Sequence, residues 1–154
     1  MSKSSYDIQS GNLISIVDTA IEALHMFPPL IFDEVQLTHF VGVYISFRNK
    51  IMYMPPLYKN LKSLKFIQAD IFIYFQEGSG QAINYFWSQV KDKGLPYQRE
   101  NKLVKILKRK KMKNQNEYDY VTDVLVVFQQ EGLIDDNDVL ILNDAISRYE
   151  GRKM

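Results

Sequence analysis

The chain contains no cysteine. That absence excludes disulfides, thiol nucleophiles, zinc ribbons and iron–sulfur clusters. Histidine is scarce as well, with only His25 and His39, and no HExxH or comparable metal spacing surrounds them. Neither sign of charge is in excess: Lys+Arg 19 against Asp+Glu 18 gives a formal net charge of +1. Any attraction to nucleic acid must therefore be local. No apolar run approaches the ~20 residues of a membrane span, and Asp18 and Glu22 interrupt the first apolar segment. The opening Met1-Ser2-Lys3-Ser4-Ser5-Tyr6-Asp7 lacks the hydrophobic core of a secretory signal. A cytoplasmic protein with no membrane partner is the expectation. A phosphate loop is missing too, because Glu77-Gly78-Ser79-Gly80 has neither GxGxxG nor Walker spacing and no lysine follows. No cofactor is expected.

What remains is an ordinary globular composition, 46% hydrophobic and 24% charged over 154 residues. The length suggests one domain, 1–154, burying about two thirds of its unfolded surface. Tyr 10, Phe 9 and Trp 1 make the chain rich in rings that must fill a core or meet a partner.

Residues 1–11 are small and polar and read as a loose arm, with Asn12 as the first helix cap. Leu13, Ile16, Val17, Ala20, Ile21 and Leu24 then follow the spacing of a core-facing helical stripe, which Pro28-Pro29 ends. Asp33 is a second cap, with Glu34 in the positive first turn. The spacing of Leu37, Phe40, Val41 and Tyr44 predicts a helix, although β-branched and aromatic residues over 41–47 leave a strand open. A third helix is expected over 57–76, with a strand alternative over 66–75. Ser79 is the expected cap for a fourth, carrying Ile83, Phe86, Trp87 and Val90, with Gly94 at its left-handed end. A basic helix is expected over 99–112, with Leu103, Ile106 and Leu107 inward. Asn116 then caps an αα-hairpin. Its first helix bears Tyr118, Val121, Val124, Leu125 and Phe128, and its second Val139, Leu142, Ala145, Ile146 and Tyr149. Glu131-Gly132-Leu133-Ile134 forms the turn. The predicted fold is all-α, a compact array of about six helices. The alternative is α+β with short strands near 41–47 and 66–75.

Each chemical candidate has a plainer explanation. His25 and His39, with Asp33 or Glu34, would make a metal or acid–base site, and His25, His39 and the carboxylate of Asp70 an enzyme's pocket, only if folding brought them together; a structural role is favoured for each. Asp135-Asp136-Asn137-Asp138 lacks the central glycine and twelfth-position glutamate of a calcium loop, and helix capping accounts for it. The marked charge segregation is C-terminal. Lys105, Lys108, Arg109, Lys111 and Lys113 precede a hairpin bearing Asp119, Asp123 and Asp144. These eight are the candidate partner-binding residues. The basic run over 102–113 also suits a phosphate backbone, so a helical nucleic-acid-binding regulator is the alternative.

Lys108-Arg109-Lys110-Lys111-Met112-Lys113-Asn114, Glu117-Tyr118-Asp119-Tyr120-Val121, Gln129-Gln130-Glu131-Gly132-Leu133-Ile134 and Asp144-Ala145-Ile146 carry a resemblance. Together they are similar to small helical immunity proteins of bacterial polymorphic-toxin and contact-dependent inhibition systems. The resemblance covers the last third of the chain and includes no chemical signature motif. It implies a non-enzymatic protein that occludes a cognate toxin. Nuclease inhibitors of this kind are strongly acidic and this chain is not, so a nuclease target is not implied. No family residues are carried over.

Overall fold

The computed structural model describes residues 4–152. Among them the chain forms seven α-helices and one 3-10 turn, with no strand. The helices are α1 Ser5–Met26, α2 Glu34–Met52, α3 Leu61–Glu77, α4 Gln81–Asp92, α5 Leu103–Arg109, α6 Gln115–Gln130 and α7 Asp136–Arg152, with the 3-10 turn at Pro56–Tyr58. The all-α expectation holds, and both segments with a strand alternative are helical. In α2 the buried residues are Val41, Tyr44 and Ile51, which is a helical period; a strand would have alternated Val41 and Val43 against Gly42. Asp33 starts α2 through a reciprocal cap, accepting from Gln36 N at 2.7 Å while Gln36 Oε1 accepts from Asp33 N at 2.9 Å.

Several expected boundaries move. Ser4 Oγ accepts from Asp7 N at 3.1 Å, so α1 starts at Ser5 and not at Asn12. Residues 5–11 are helical where a loose arm was expected; residues 1–3 lie outside the described residues. The third helix is shorter than the expected 57–76. The chain first makes its 3-10 turn, then Asn60 Oδ1 accepts from Ser63 N at 2.9 Å and starts α3. Gly80, without a side-chain cap, stands before α4 where Ser79 was expected.

Length suggested one domain; the chain falls into two compact units, Met1–Arg99 and Glu100–Met154, each with its own buried core. In the first unit α1 packs against α2, α3 and α4. It buries Leu13, Ile16, Val17, Ala20, Ala23 and Leu24 completely, while Ile21 is half-buried. The rings of Phe75 and Phe86 stack at 4.0 Å, and Tyr44 meets Phe75 edge-on at 5.8 Å. Polar atoms among these rings need partners. Tyr44 Oη donates to the Ile71 carbonyl at 2.9 Å, and Trp87 Nε1 to the Phe75 carbonyl at 2.8 Å. Burial pushes the Tyr44 phenol pKa up, with a smaller contribution from Tyr74. Gly78 permits a close approach, since a Cβ there would lie 2.5 Å from Ile83 Cδ1 and 2.8 Å from the Tyr74 carbonyl.

The second unit pairs α6 with α7 as the expected αα-hairpin and sets α5 against α7. Its core is mainly aliphatic, with Leu103, Ile106, Val121, Val124 and Leu142 around one large ring, Phe128. Gly132, at φ 75, makes the turn after α6. Its N–H donates to the Gln129 carbonyl, and Leu133 N–H to the Phe128 carbonyl at 2.9 Å. This is the paired hydrogen bonding that closes a helix through a left-handed residue.

Candidate functional site

The basic segment does not form the expected helix over 99–112. Only Leu103–Arg109 is helical, and Lys110 turns left-handed at φ 60 and ψ 25. The reason lies in the spacing. Leu103 and Ile106 face the core, and a continued helix would bring Lys110 to the same face, where an unpaired ammonium is costly to bury. Ending the helix keeps Lys110 exposed and lets Met112 turn inward, where it is 2% exposed. The following cap is Asn114 and not Asn116, since Asn114 Oδ1 accepts from Glu117 N at 3.0 Å.

That turn is pinned from two sides. Arg109 grips Glu117 with two nitrogens, Nη1 to Oε1 at 2.6 Å and Nη2 to Oε2 at 3.1 Å. Glu117 Oε1 also accepts from Lys113 N at 2.7 Å, and Arg109 Nη1 donates to the Lys111 carbonyl at 3.2 Å. Glu117 thus closes the loop over 110–113 on its helix N-terminus, a position that favours a carboxylate. The Arg109 hydrogen bonds come first in holding its pKa below the ordinary value, and the Lys113 amide adds to them. The same pairing raises the Arg109 pKa. From α7, Arg148 donates to the Lys110 carbonyl and, at 2.9 Å, to Asp144 Oδ2.

Of the eight candidates, three already have side-chain partners. Arg109 is held by Glu117, Asp144 by Arg148, and Asp119 Oδ1 accepts from Gln115 Nε2 at 2.8 Å. Lys105, Lys108, Lys111 and Lys113 are exposed. Among the described residues none of these four ammonium groups has a carboxylate partner. Asp123 is exposed on the α6 surface. The structure therefore joins Arg109, Lys111 and Lys113 in one knot around Glu117, and links Lys110 to Asp144 through Arg148. Glu117 and Arg148 escaped the sequence reading. Their signals were the cap-to-third-position spacing from Asn114 to Glu117 and the i,i+4 spacing from Asp144 to Arg148. The rings of Tyr118 and Tyr149 stack at 5.2 Å on the same hairpin.

Other candidates carry less. His25, His39 and Asp70 are each exposed, and no hydrogen bond or ion pair joins them. Asp135 and Asp138 cap α7 reciprocally, Asp138 N donating to Asp135 Oδ1 at 2.8 Å and Asp135 N to Asp138 Oδ2 at 3.1 Å. Among the described residues no three His, Asp or Glu side chains form a metal-sized group, and no helix is long and apolar enough to cross a membrane. No family model matches the sequence, and neither curated proteins nor solved structures give a match.

Proposed function

We propose that the chain is a non-catalytic protein-binding module, an immunity or inhibitor protein that neutralises a cognate bacterial toxin by covering it. The observation that supports this reading is the pinned basic turn. Four exposed lysines without carboxylate partners among the described residues lie on α5 and on the loop that follows it, whose backbone is fixed by Arg109, Glu117 and Arg148. A surface ordered before binding loses little conformational freedom on binding. Like charges left uncompensated on it speed encounter with an acidic partner surface. Tyr118 and Tyr149, both half-buried, supply the rigid aromatic area that anchors such contacts. The cytoplasm is the proposed compartment.

The test is co-expression with the protein encoded beside this one. The expected result is a stable complex and protection of the host cell. No complex and no protection would overturn the reading.

The nucleic-acid reading rests on the same four lysines, which suit a phosphate backbone. It is weakened by the break at Lys110, because the cations do not line one continuous helix that would track a groove. Under it, Lys105→Glu with Lys108→Glu and Lys111→Glu would abolish a salt-dependent association with duplex or single-stranded nucleic acid.

A further inference from the structure

The first unit leaves apolar side chains in water on one stretch of chain. Between the end of α2 and the first half of α3, Tyr53 is 75% exposed, Leu57 79%, Tyr58 55% and Phe66 68%, with Met52 and Leu61 also exposed. Singly exposed apolar residues are unremarkable; six of them fall within fifteen positions here, around Pro55-Pro56. The charges on this stretch are all of one sign. Residues 35–69 contain no Asp or Glu, and their cations are Arg48, Lys50, Lys59, Lys62 and Lys65. Arg48 is engaged, its Nε lying 3.0 Å from Asp18 Oδ1. The four lysines are exposed and have no carboxylate partner among the described residues. Lys62 also sits in the first turn of α3, which holds no acidic residue. A cation there opposes the helix dipole, so local helix stability does not account for it.

We propose that this surface docks on an anionic lipid bilayer. Leu57, Tyr58 and Phe66 would enter the headgroup boundary, and Lys50, Lys59, Lys62 and Lys65 would sit among the lipid phosphates and carboxylates. This contact lies on the leaflet and crosses nothing, so it is compatible with the finding that no helix among the described residues is long and apolar enough to cross a membrane. A bilayer suits the pattern better than a protein does. Lysines interleaved with exposed aromatic and leucine side chains, and with no acidic residue among them, are what interfacial membrane segments use. The proposal is independent of the toxin-partner reading, which rests on the second unit.

The test is flotation of the full chain with vesicles of pure phosphatidylcholine and with vesicles of equal parts phosphatidylcholine and phosphatidylserine. Binding is expected to the anionic vesicles only and to weaken with salt. Each of Lys59→Gln, Lys62→Gln and Lys65→Gln should lower partitioning about fivefold. Leu57→Ser with Phe66→Ser should reduce it further, with helix content unchanged because both side chains are already in water. Failure to float with the anionic vesicles would overturn the proposal. So would flotation that these variants leave intact, which would place the contact elsewhere. If soluble polyglutamate binds in a lysine-dependent manner while vesicles do not, the surface serves an acidic protein and the lipid proposal falls.

Discussion

The two units solve the same packing problem with different materials. Met1–Arg99 closes around stacked rings whose polar atoms are tied to helix carbonyls, as Tyr44 is to Ile71 and Trp87 to Phe75. Glu100–Met154 closes around branched aliphatic side chains and one phenylalanine, and uses its polar contacts at the surface to shape a turn. In the first unit hydrogen bonding serves the core. In the second it shapes the basic turn. Burial supplies most of the stability in both.

The largest effect should come from the rings at the two centres. Phe75→Ala and Phe128→Ala each remove a fully buried ring and should cost about 3–5 kcal/mol. Hydrogen exchange should show the loosening over 5–99 for the first and over 100–152 for the second. Equal loosening of the whole chain by either variant would break the division into two cores. Next in size is Tyr44→Phe, which strips a buried hydrogen bond and should cost roughly 1–2 kcal/mol in denaturant unfolding. Its counterpart Tyr149→Phe loses an exposed 3.5 Å contact to Gln115 and should lower stability by roughly a few tenths of a kcal/mol. Similar costs at both positions would contradict the contrast between core and surface hydrogen bonding.

The units also share a device. Gly94 at φ 67 and Gly132 at φ 75 close α4 and α6 in the same way, so Gly94→Ala and Gly132→Ala should each cost about 1 kcal/mol. The smallest effect is the acid response of the pinned turn. The folded pKa of Glu117 is lowered from its ordinary value near 4.5. Its contribution is therefore complete above that value and is lost as pH falls through the lower folded value. Exchange at the Lys113 amide, which donates to Glu117, should lose protection across that acid window. Glu117→Gln should remove the pH dependence while leaving the first unit unaffected.

Periodicity and punctuation made much of the fold legible. Pro28-Pro29 and Pro55-Pro56 separate the first helices, Asp33 caps α2, and the C-terminal stripes pair as expected. What the sequence concealed were decisions made by tertiary competition. Ser4 outcompetes Asn12 as a cap because residues 5–11 continue the helix. Lys110 breaks α5 because its inward position cannot hold a charge. The two cores were hidden because apolar residues recur evenly along the chain, and periodicity identifies a buried face without naming the helix it meets. At the candidate site the charges were legible and their pairings were not. Arg109 reaches Glu117 only after a left-handed turn, and Arg148 reaches a backbone carbonyl that no side-chain pattern encodes.

The central functional claim is that the lysines of the second unit recognise an acidic partner without chemistry of their own. Calorimetric titration of the protein encoded beside this one tests it most directly, with the wild-type chain and with Lys105→Glu, Lys108→Glu and Lys111→Glu combined. These side chains are exposed, so the variant should fold as the wild type does. The account predicts a stoichiometric complex that the triple substitution weakens by tenfold or more, roughly 1.4 kcal/mol or above. An unchanged affinity, or no complex with either chain, would contradict it.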